Sequence, residues 1–345
     1  MDMKIVQSFI ITIAVFLTAS ACGGSSFSVG TDYSATGGNA PGSGVSGAVG
    51  TGGAAGAAGD NTGGTTTVGG AAGGRAFASV SAGYEEACAL RTDGTIACWG
   101  FRANYLQLAG TFTSLTLGGR ACGLNTDRTI TCWDNSGQIF GADKGNYVSP
   151  SPSPTGSFAS VSASGGIGAC ALRADGTVVC WGAEQCTDVA APPSGTFASV
   201  SDGASFACGV RSDGTVACWD QCLMPPIPAP PLGTFTSVSV GGSFACGVRT
   251  DSSIACWGHA IGETTPTPPS GPFASVSVGD QYACGQKTDG TIVCWGDNTY
   301  GKATPPSGIF SSISAGYGFA CGVKTDGTIV CWGNNDLGQA TPPAP

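Results

Sequence analysis

Histidine and charged side chains are scarce in this 345-residue chain. It has one histidine, His259, and charged residues make up 10% of the sequence. Lysine and arginine number 13 against 22 aspartates and glutamates, which gives a formal net charge of −9. A chain with so few bases has little electrostatic attraction for a phosphate backbone, and we therefore expect no nucleic-acid partner.

Sets of side chains that could perform chemistry are also missing. His259 follows Trp257-Gly258 without an acid and a nucleophile nearby, and no pair of carboxylates suggests acid–base chemistry. We therefore predict no catalytic residue, no metal and no cofactor. An enzyme is a third alternative, which would need a site assembled from several repeats.

Tryptophan, by contrast, follows a strict pattern, because every tryptophan comes directly after a cysteine. The seven pairs are Cys98-Trp99, Cys132-Trp133, Cys180-Trp181, Cys218-Trp219, Cys256-Trp257, Cys294-Trp295 and Cys331-Trp332. The phenylalanines that open the repeats are Phe77, Phe112, Phe158, Phe197, Phe235, Phe273 and Phe310. A period near forty residues without a helical pattern predicts an all-β fold, a seven-bladed β-propeller.

Each repeat predicts three short strands and an outer segment. "FASVS" alternates apolar and small polar residues, "ACGVR" follows a glycine turn, and "TIVCW" returns after "TDG", a three-residue hairpin loop. The aspartate in this loop and the base before it are expected to have a structural role in the turn, where aspartate can hydrogen-bond to the local backbone. Arg128 and Ser252 replace the loop glycine in blades 2 and 5, so we expect strain there. Outer segments such as "GQATPP" contain prolines and can form only a short outer strand or an edge.

Fourteen of the 17 cysteines recur at a C-x9-C spacing, which is not a metal-ligand spacing. The three-residue loop places Arg91 opposite Thr95 and hence Cys88 opposite Cys98, at a separation that a disulfide can span. A two-residue loop would put the two thiols on opposite faces. The predicted pairs are Cys88–Cys98, Cys122–Cys132, Cys170–Cys180, Cys208–Cys218, Cys246–Cys256, Cys284–Cys294 and Cys321–Cys331.

Cys22, Cys186 and Cys222 stand outside this spacing. Cys186 and Cys222 occupy matching places in adjacent blades, and we predict a disulfide between them because export would place them in an oxidising compartment. A four-thiolate metal site that also includes Cys180 and Cys218 is the alternative.

The N-terminal segment indicates export. Lys4 precedes an apolar stretch, and small residues precede Cys22, so residues 1–21 resemble a bacterial lipoprotein signal peptide with Cys22 as the lipidated residue. Ala19 stands where such signals usually have leucine, and a simple secretory signal or an uncleaved anchor is the alternative. Gly23 after the cysteine favours the outer membrane, on its periplasmic or cell-surface side, with the lipid as the sole membrane contact.

Residues 22–76 are rich in glycine, alanine, serine and threonine and cannot bury a core. They are predicted to be a disordered tether between the lipid and the propeller at 77–345. The chain ends in "GQATPPAP", an outer segment without a following repeat, and we expect it to fasten blade 7 to blade 1 and so close the ring.

The repeats resemble those of the regulator of chromosome condensation family. The resemblance rests on Gly83, Ala89-Leu90, Asp93-Gly94 and Trp99-Gly100, and on "GDNTYGKA" and "GNNDLGQA" in the outer segments. The period of 37 to 39 residues in the later repeats is similar to that of the family's secreted bacterial type, the propeller-type β-lactamase inhibitory proteins. The resemblance implies a protein that binds through one rim of the ring and performs no chemistry.

In the inhibitor-like members, the contacting residues lie in the turn between the first and second strands. Carried over to this chain, that turn supplies Tyr84, Glu85, Asp280, Gln281 and Tyr317 as candidate binding residues. Tyr84 and Tyr317 fall in neighbouring blades once the ring closes. We therefore predict a binding sector for an unknown protein or envelope component on a monomeric propeller. A structural or adhesive surface protein without a discrete ligand is the alternative.

Overall fold

The computed structural model describes residues 76–101, 110–118, 121–133, 153–163, 168–182, 191–220, 229–258 and 265–344. These residues belong to one compact unit, Gly52–Pro345. The predicted signal peptide, Cys22, the predicted tether up to residue 75, Cys186, Cys222 and His259 lie outside the described residues. The division into residues 1–21, 22–76 and 77–345 therefore stays a prediction.

The described residues form seven three-stranded antiparallel sheets, and this confirms the all-β, seven-bladed propeller. The first strands are β1 Phe77–Ala82, β4 Phe112–Leu117, β7 Phe158–Ala163, β10 Phe197–Asp202, β13 Phe235–Val240, β16 Phe273–Val278 and β19 Phe310–Ala315. The second strands are β2 Glu86–Arg91, β5 Ala121–Asn125, β8 Ala169–Arg173, β11 Phe206–Arg211, β14 Phe244–Arg249, β17 Tyr282–Lys287 and β20 Phe319–Lys324. The third strands are β3 Ile96–Gly100, β6 Ile130–Trp133, β9 Val178–Trp181, β12 Val216–Asp220, β15 Ile254–Gly258, β18 Ile292–Gly296 and β21 Ile329–Gly333.

The outer segments add no fourth strand in the part of the chain that the structure describes. In blade 6 the outer segment contains a short 3-10 turn, Thr299–Gly301. The proline-containing segments therefore lie along the blades as irregular edges, which is the second of the two forms that the sequence allows.

The hairpin between the second and third strands has the predicted three-residue loop. In blade 1 the Arg91 N–H donates to the Thr95 carbonyl at 2.8 Å, and Gly94 has a φ of +82°. This register places Cys88 directly opposite Cys98, and the two form a disulfide with Cα atoms 4.0 Å apart. The other six predicted intrablade pairs are also opposed and bonded. All seven intrablade disulfides are thus confirmed.

Two hairpins hold a residue other than glycine in the left-handed position. Arg128 and Ser252 both have a φ of +67°, where the other blades have glycine. A side chain in this conformation costs about 1–2 kcal/mol because its Cβ approaches the following carbonyl oxygen. The predicted strain in blades 2 and 5 is therefore present in the backbone.

Seven hydrophobic clusters hold the ring together, and each joins two adjacent blades. In the cluster between the last and first blades, Phe319 and Val323 of β20 pack with Phe77 of β1 and Trp99 of β3. The other six clusters make equivalent contacts between successive blades. Because a single blade cannot bury both faces of its sheet, this packing requires a closed ring.

A serine or threonine near the end of each first strand adds a polar link between blades. Its hydroxyl oxygen accepts a hydrogen bond from the last backbone N–H of the next blade's first strand. The links are Ser81–Leu117, Thr116–Ala163, Ser162–Asp202, Ser201–Val240, Ser239–Val278, Ser277–Ala315 and Ser314–Ala82. The set closes on itself, so the junction between blades 7 and 1 has the same bond as every other junction.

The C-terminal segment also contacts blade 1, as expected. The indole Nε1–H of Trp99 donates to the carbonyl oxygen of Gln339 at 2.9 Å. In the same way, Trp332 Nε1–H of blade 7 donates to the carbonyl oxygen of Lys302 in the outer segment of blade 6, at 2.9 Å. Each of these outer segments therefore covers the tryptophan of the next blade, and the last one closes the ring over the first blade.

Strand direction places two kinds of loop on opposite sides of the ring. The first strands end, the second strands begin and the third strands end on one side, which we call the turn face. The turn face carries the turns between first and second strands, at 83–85, 203–205, 241–243, 279–281 and 316–318. The opposite side carries the hairpins between second and third strands, and we call it the hairpin face.

Candidate binding face

Tyr84 of blade 1 and Tyr317 of blade 7 stack on each other on the turn face. Their ring centroids are 4.1 Å apart and the ring planes differ by 18°. The backbone N–H of Tyr317 donates to the Gly83 carbonyl at 3.0 Å, which joins the two turns. Each tyrosine is 46% exposed. The pair therefore forms a stacked aromatic surface that spans the junction where the ring closes.

The tyrosine pair lies in a partly buried, acidic environment. Burial, followed by a hydrogen bond with Tyr317, raises the pKa of Tyr84 to about 12. The carboxylates of Asp280 and Glu85 raise that pKa further. The hydroxyl of Tyr84 therefore keeps its proton and stays uncharged at physiological pH.

Asp280 stands at the matching place in the turn of blade 6. Its backbone N–H donates to the Gly316 carbonyl at 3.4 Å, so the turns of blades 6, 7 and 1 are linked in sequence. Burial raises the pKa of the Asp280 carboxyl, although the ammonium of Lys302 and a hydrogen bond from Gln281 act in the opposite direction. The Gln281 Nε2 group lies 3.5 Å from Asp280 Oδ2. The structure thus places the five predicted residues on three adjacent blades, while their role in binding stays a prediction.

Gln281 has an unusual backbone. Its φ is +61°, although it is not a glycine. Glu85, Ser205 and Ser243, which occupy the same place in the turns of other blades, do not have a positive φ. Strained residues of this kind often occur at functional sites, where the surrounding structure holds them in place. This observation favours the turn of blade 6 as part of a recognition surface.

Lys302 is a residue of this face that the sequence does not single out. Its Nζ lies 2.9 Å from Asp297 Oδ2 and donates to the backbone carbonyl of Asp280 at 3.2 Å. The ammonium also lies 5.1 Å from the centroid of the Tyr282 ring, and the side chain is 6% exposed. The charge of Lys302 is therefore paired within the protein, and its hydrogen bond to Asp280 supports the turn that carries this residue.

Charges on the hairpin face serve the turns and the packing, as expected. The Asp213 Oδ1 accepts hydrogen bonds from the Thr215 N–H at 2.9 Å and the Thr215 hydroxyl at 2.7 Å, and the same pattern recurs in every blade. These bonds lower the pKa of the Asp213 carboxyl. The guanidinium of Arg249 lies 4.9 Å from the centroid of the Phe235 ring, a cation–π contact that also occurs in blades 1, 3 and 4.

The described residues contain neither a metal-binding cluster nor a helix that could span a membrane. No group of three or more histidine, cysteine, aspartate or glutamate side chains in these ranges could hold a metal ion. Cys180 and Cys218, two members of the alternative four-thiolate site, are bonded to Cys170 and Cys208 and are not thiolates. No described helix reaches the length and apolar character that crossing a membrane requires.

Seven three-stranded blades joined in a closed ring define a β-propeller. The family model described as "Regulator of chromosome condensation (RCC1) repeat" matches residues 273–302 and 310–339, in blades 6 and 7. Blades 6 and 7 of this propeller are therefore RCC1-like repeats. No curated protein sequence matches this chain.

Solved structures agree with the fold. The CRINKLY WD40 ectodomain of the Arabidopsis thaliana receptor kinase ACR4 is 29% identical, with a TM-score of 0.60, over 78% of this chain and 98% of that chain. The ectodomain of the Physcomitrella patens receptor kinase CR4 is 24% identical, with a TM-score of 0.59, over 75% of this chain and 73% of that chain. Prp20p from Saccharomyces cerevisiae, described with binding properties to Gsp1p and histones, is 13% identical, with a TM-score of 0.54, over 71% of this chain and 81% of that chain.

Proposed function

We propose that this protein is a non-catalytic propeller, tethered to the bacterial envelope, that binds a protein partner through its turn face. The observation that carries the proposal is the stacked pair of Tyr84 and Tyr317. Tyrosine buries a large area at an interface and loses little conformational entropy, since it has two rotatable side-chain bonds. Aromatic residues of this kind are also enriched among the few residues that dominate binding energy.

The geometry around the pair supports this proposal. The two rings are held in place by the backbone bond from Tyr317 to Gly83, and Asp280 lies on the adjoining blade. A surface that is already ordered loses less entropy when a partner binds. The likeness to Prp20p adds that a propeller of this fold can serve as a binding module, although fold alone does not specify a partner.

The proposed location rests on the disulfides and on the N-terminal segment. Seven described disulfides favour an oxidising compartment outside the cytoplasm. We propose that a lipid on Cys22 holds the exported protein at the outer membrane. Cys22→Ser should then abolish lipidation and release the protein from the membrane fraction. An unchanged membrane association of this variant would contradict the lipid anchor.

The binding proposal is tested with the full-length, disulfide-intact protein. The protein should be crosslinked in the envelope of its own cells, purified, and its partners identified by mass spectrometry. The variant Tyr84→Ala/Tyr317→Ala should lose the specific partner, because it removes the stacked surface. The matched control is Leu232→Ala/Ile309→Ala, which removes exposed apolar side chains from the hairpin face.

Two outcomes would contradict binding through the turn face. One is recovery of the same partner at the same level by the tyrosine variant. The other is the absence of any specific partner of the unmodified protein, which would favour the alternative, a structural or adhesive surface protein.

A further inference from the structure

The two faces of the ring differ in charge. On the hairpin face, each of the seven hairpins has its aspartate, and the bases are equal in number, at Arg91, Arg128, Arg173, Arg211, Arg249, Lys287 and Lys324. On the turn face, the acids with described side chains are Glu85, Glu86, Asp202, Asp280, Asp297 and Asp336. Lys302 is the single base on this face among the described residues. The excess of negative charge in the described part of the chain therefore lies on the turn face.

This charge is partly available to a partner. Asp336 is exposed, and Glu85 and Asp280 are partly exposed. Lys302 does little to offset them in solvent, because its ammonium is buried against Asp297. Charges of one sign on one side of a protein attract an oppositely charged partner and orient it during encounter. The turn face is thus suited to a basic surface.

Exposed apolar side chains lie in the same sector of the ring. Seven large apolar side chains are exposed among the residues that the structure describes, and five of them belong to blades 6, 7 and 1. Tyr84 and Tyr317 lie in turns of the turn face, Phe101 directly follows the third strand of blade 1, and Tyr300 and Leu337 lie in the outer segments that follow the third strands of blades 6 and 7. The Phe101 N–H donates to the Glu85 carbonyl at 2.9 Å, which places Phe101 beside the turn that carries Tyr84. Apolar side chains clustered within a charged surface are typical of a protein-binding site.

We propose that the partner of the turn face is a basic protein surface that presents an arginine side chain to the Tyr84–Tyr317 pair, with Asp280 and Glu85 as its ionic contacts. This inference rests on the proposed function and adds the chemistry of the partner. A guanidinium is planar, stacks on an aromatic ring and pairs with a carboxylate through two parallel hydrogen bonds. A lysine ammonium is a compact, strongly hydrated charge and gains less from such a surface.

Three synthetic peptides provide the test: fluorescein-labelled hexa-arginine, hexa-lysine and hexa-glutamate. Fluorescence anisotropy with the full-length, disulfide-intact protein measures the affinity of each at low and at moderate salt. We expect hexa-arginine to bind more tightly than hexa-lysine, and hexa-glutamate not to bind. Both basic peptides should weaken as salt rises, because exposed charges are screened.

Variants then separate stacking from charge. Tyr84→Ala/Tyr317→Ala should weaken hexa-arginine about two- to fivefold and hexa-lysine less, since a cation over an exposed aromatic ring contributes about 0.5–1 kcal/mol. Asp280→Asn should weaken both basic peptides. Tyr84→Phe keeps the ring and should leave binding unchanged, and Leu232→Ala on the hairpin face is the matched surface control.

Several results would overturn the inference. Equal affinity for the arginine and lysine peptides, or hexa-arginine binding that both alanine substitutions leave unchanged, would show a nonspecific attraction. Binding of hexa-glutamate would contradict a basic partner outright. If the tyrosine variant loses its crosslinked partner in the envelope while neither basic peptide binds the unmodified protein, the proposed function stands and the basic partner is wrong.

Discussion

Removal of the last eight residues should test how the ring is closed. Truncation of the full chain after Leu337 removes residues 338–345 and with them Gln339, which is 4% exposed. The Gln339 carbonyl accepts the hydrogen bond from Trp99 Nε1, and Trp99 is itself 6% exposed. The truncation thus uncovers the tryptophan of blade 1 and leaves the other links between blades 7 and 1 in place.

The size of the effect follows from the bond that is lost. A buried donor without its partner costs about 1–3 kcal/mol. Truncation also opens the indole to water, which can replace part of the bond, so we expect a loss of about 1–2 kcal/mol in the free energy of unfolding. The ring should stay closed, because Ser314 and Ala82, Phe77 and Gly327, and Tyr317 and Gly83 still join blades 7 and 1.

Urea unfolding at 25 °C, followed by tryptophan fluorescence with the disulfides intact, measures this loss. A matched control is truncation after Thr341, which removes residues 342–345 and retains the contact of Gln339 with Trp99. This control should unfold at the same urea concentration as the full chain, while the longer truncation unfolds earlier. If the longer truncation and the control unfold at the same urea concentration, the outer segment of blade 7 does not stabilise the ring.

Three further predictions follow from the hairpins and cysteines. Ser252→Gly should stabilise the protein by roughly 0.5–1 kcal/mol because it relieves a left-handed φ, and Gly214→Ser should destabilise it by a similar amount, both measured by urea unfolding. The pKa of Asp213 is lower in the folded protein than in the unfolded chain. The ionised Asp213 carboxylate therefore stabilises the fold at pH values above the unfolded pKa, and this stabilisation is lost as the pH falls through the folded pKa. Thr215→Val should therefore make stability less sensitive to acidification below about pH 4, and an unchanged sensitivity would contradict this coupling. Peptide mapping without reduction should recover the seven intrablade disulfides and a Cys186–Cys222 link; free thiols or bound zinc at the latter pair would show that this link is wrong.

The hairpins and disulfides could be predicted from the sequence because their determinants are local. The loop length between the second and third strands fixes which residues oppose each other, and Asp93-Gly94 fixes the loop length. The opposition of Cys88 and Cys98 follows by counting along two strands. No contact between distant parts of the chain is needed for this step.

The links between blades could not be predicted from the sequence, because they depend on how one blade packs against the next. The alternation in "FASVS" predicts a strand with one buried face, but it does not show that Ser314 accepts a hydrogen bond from Ala82. The burial of Lys302 and its ion pair with Asp297 could not be predicted either. The matching residue of blade 7 is Gln339, so the repeat does not mark this position as a base. The left-handed conformation of Gln281 has no signal in the residue type.

The positions that the repeat leaves unconstrained are those where recognition can develop. In the hairpins, the aspartate and the residue two places later form the turn with their side chains, so these positions keep similar residues from blade to blade. In the turns on the opposite face, the residue after the glycine contributes its backbone N–H to the next blade, as Ala204 and Tyr317 both do. Its side chain is not needed for the fold. Two tyrosines at this position in adjoining blades are therefore not a requirement of the propeller, and their stacking is the feature on which the proposed binding rests.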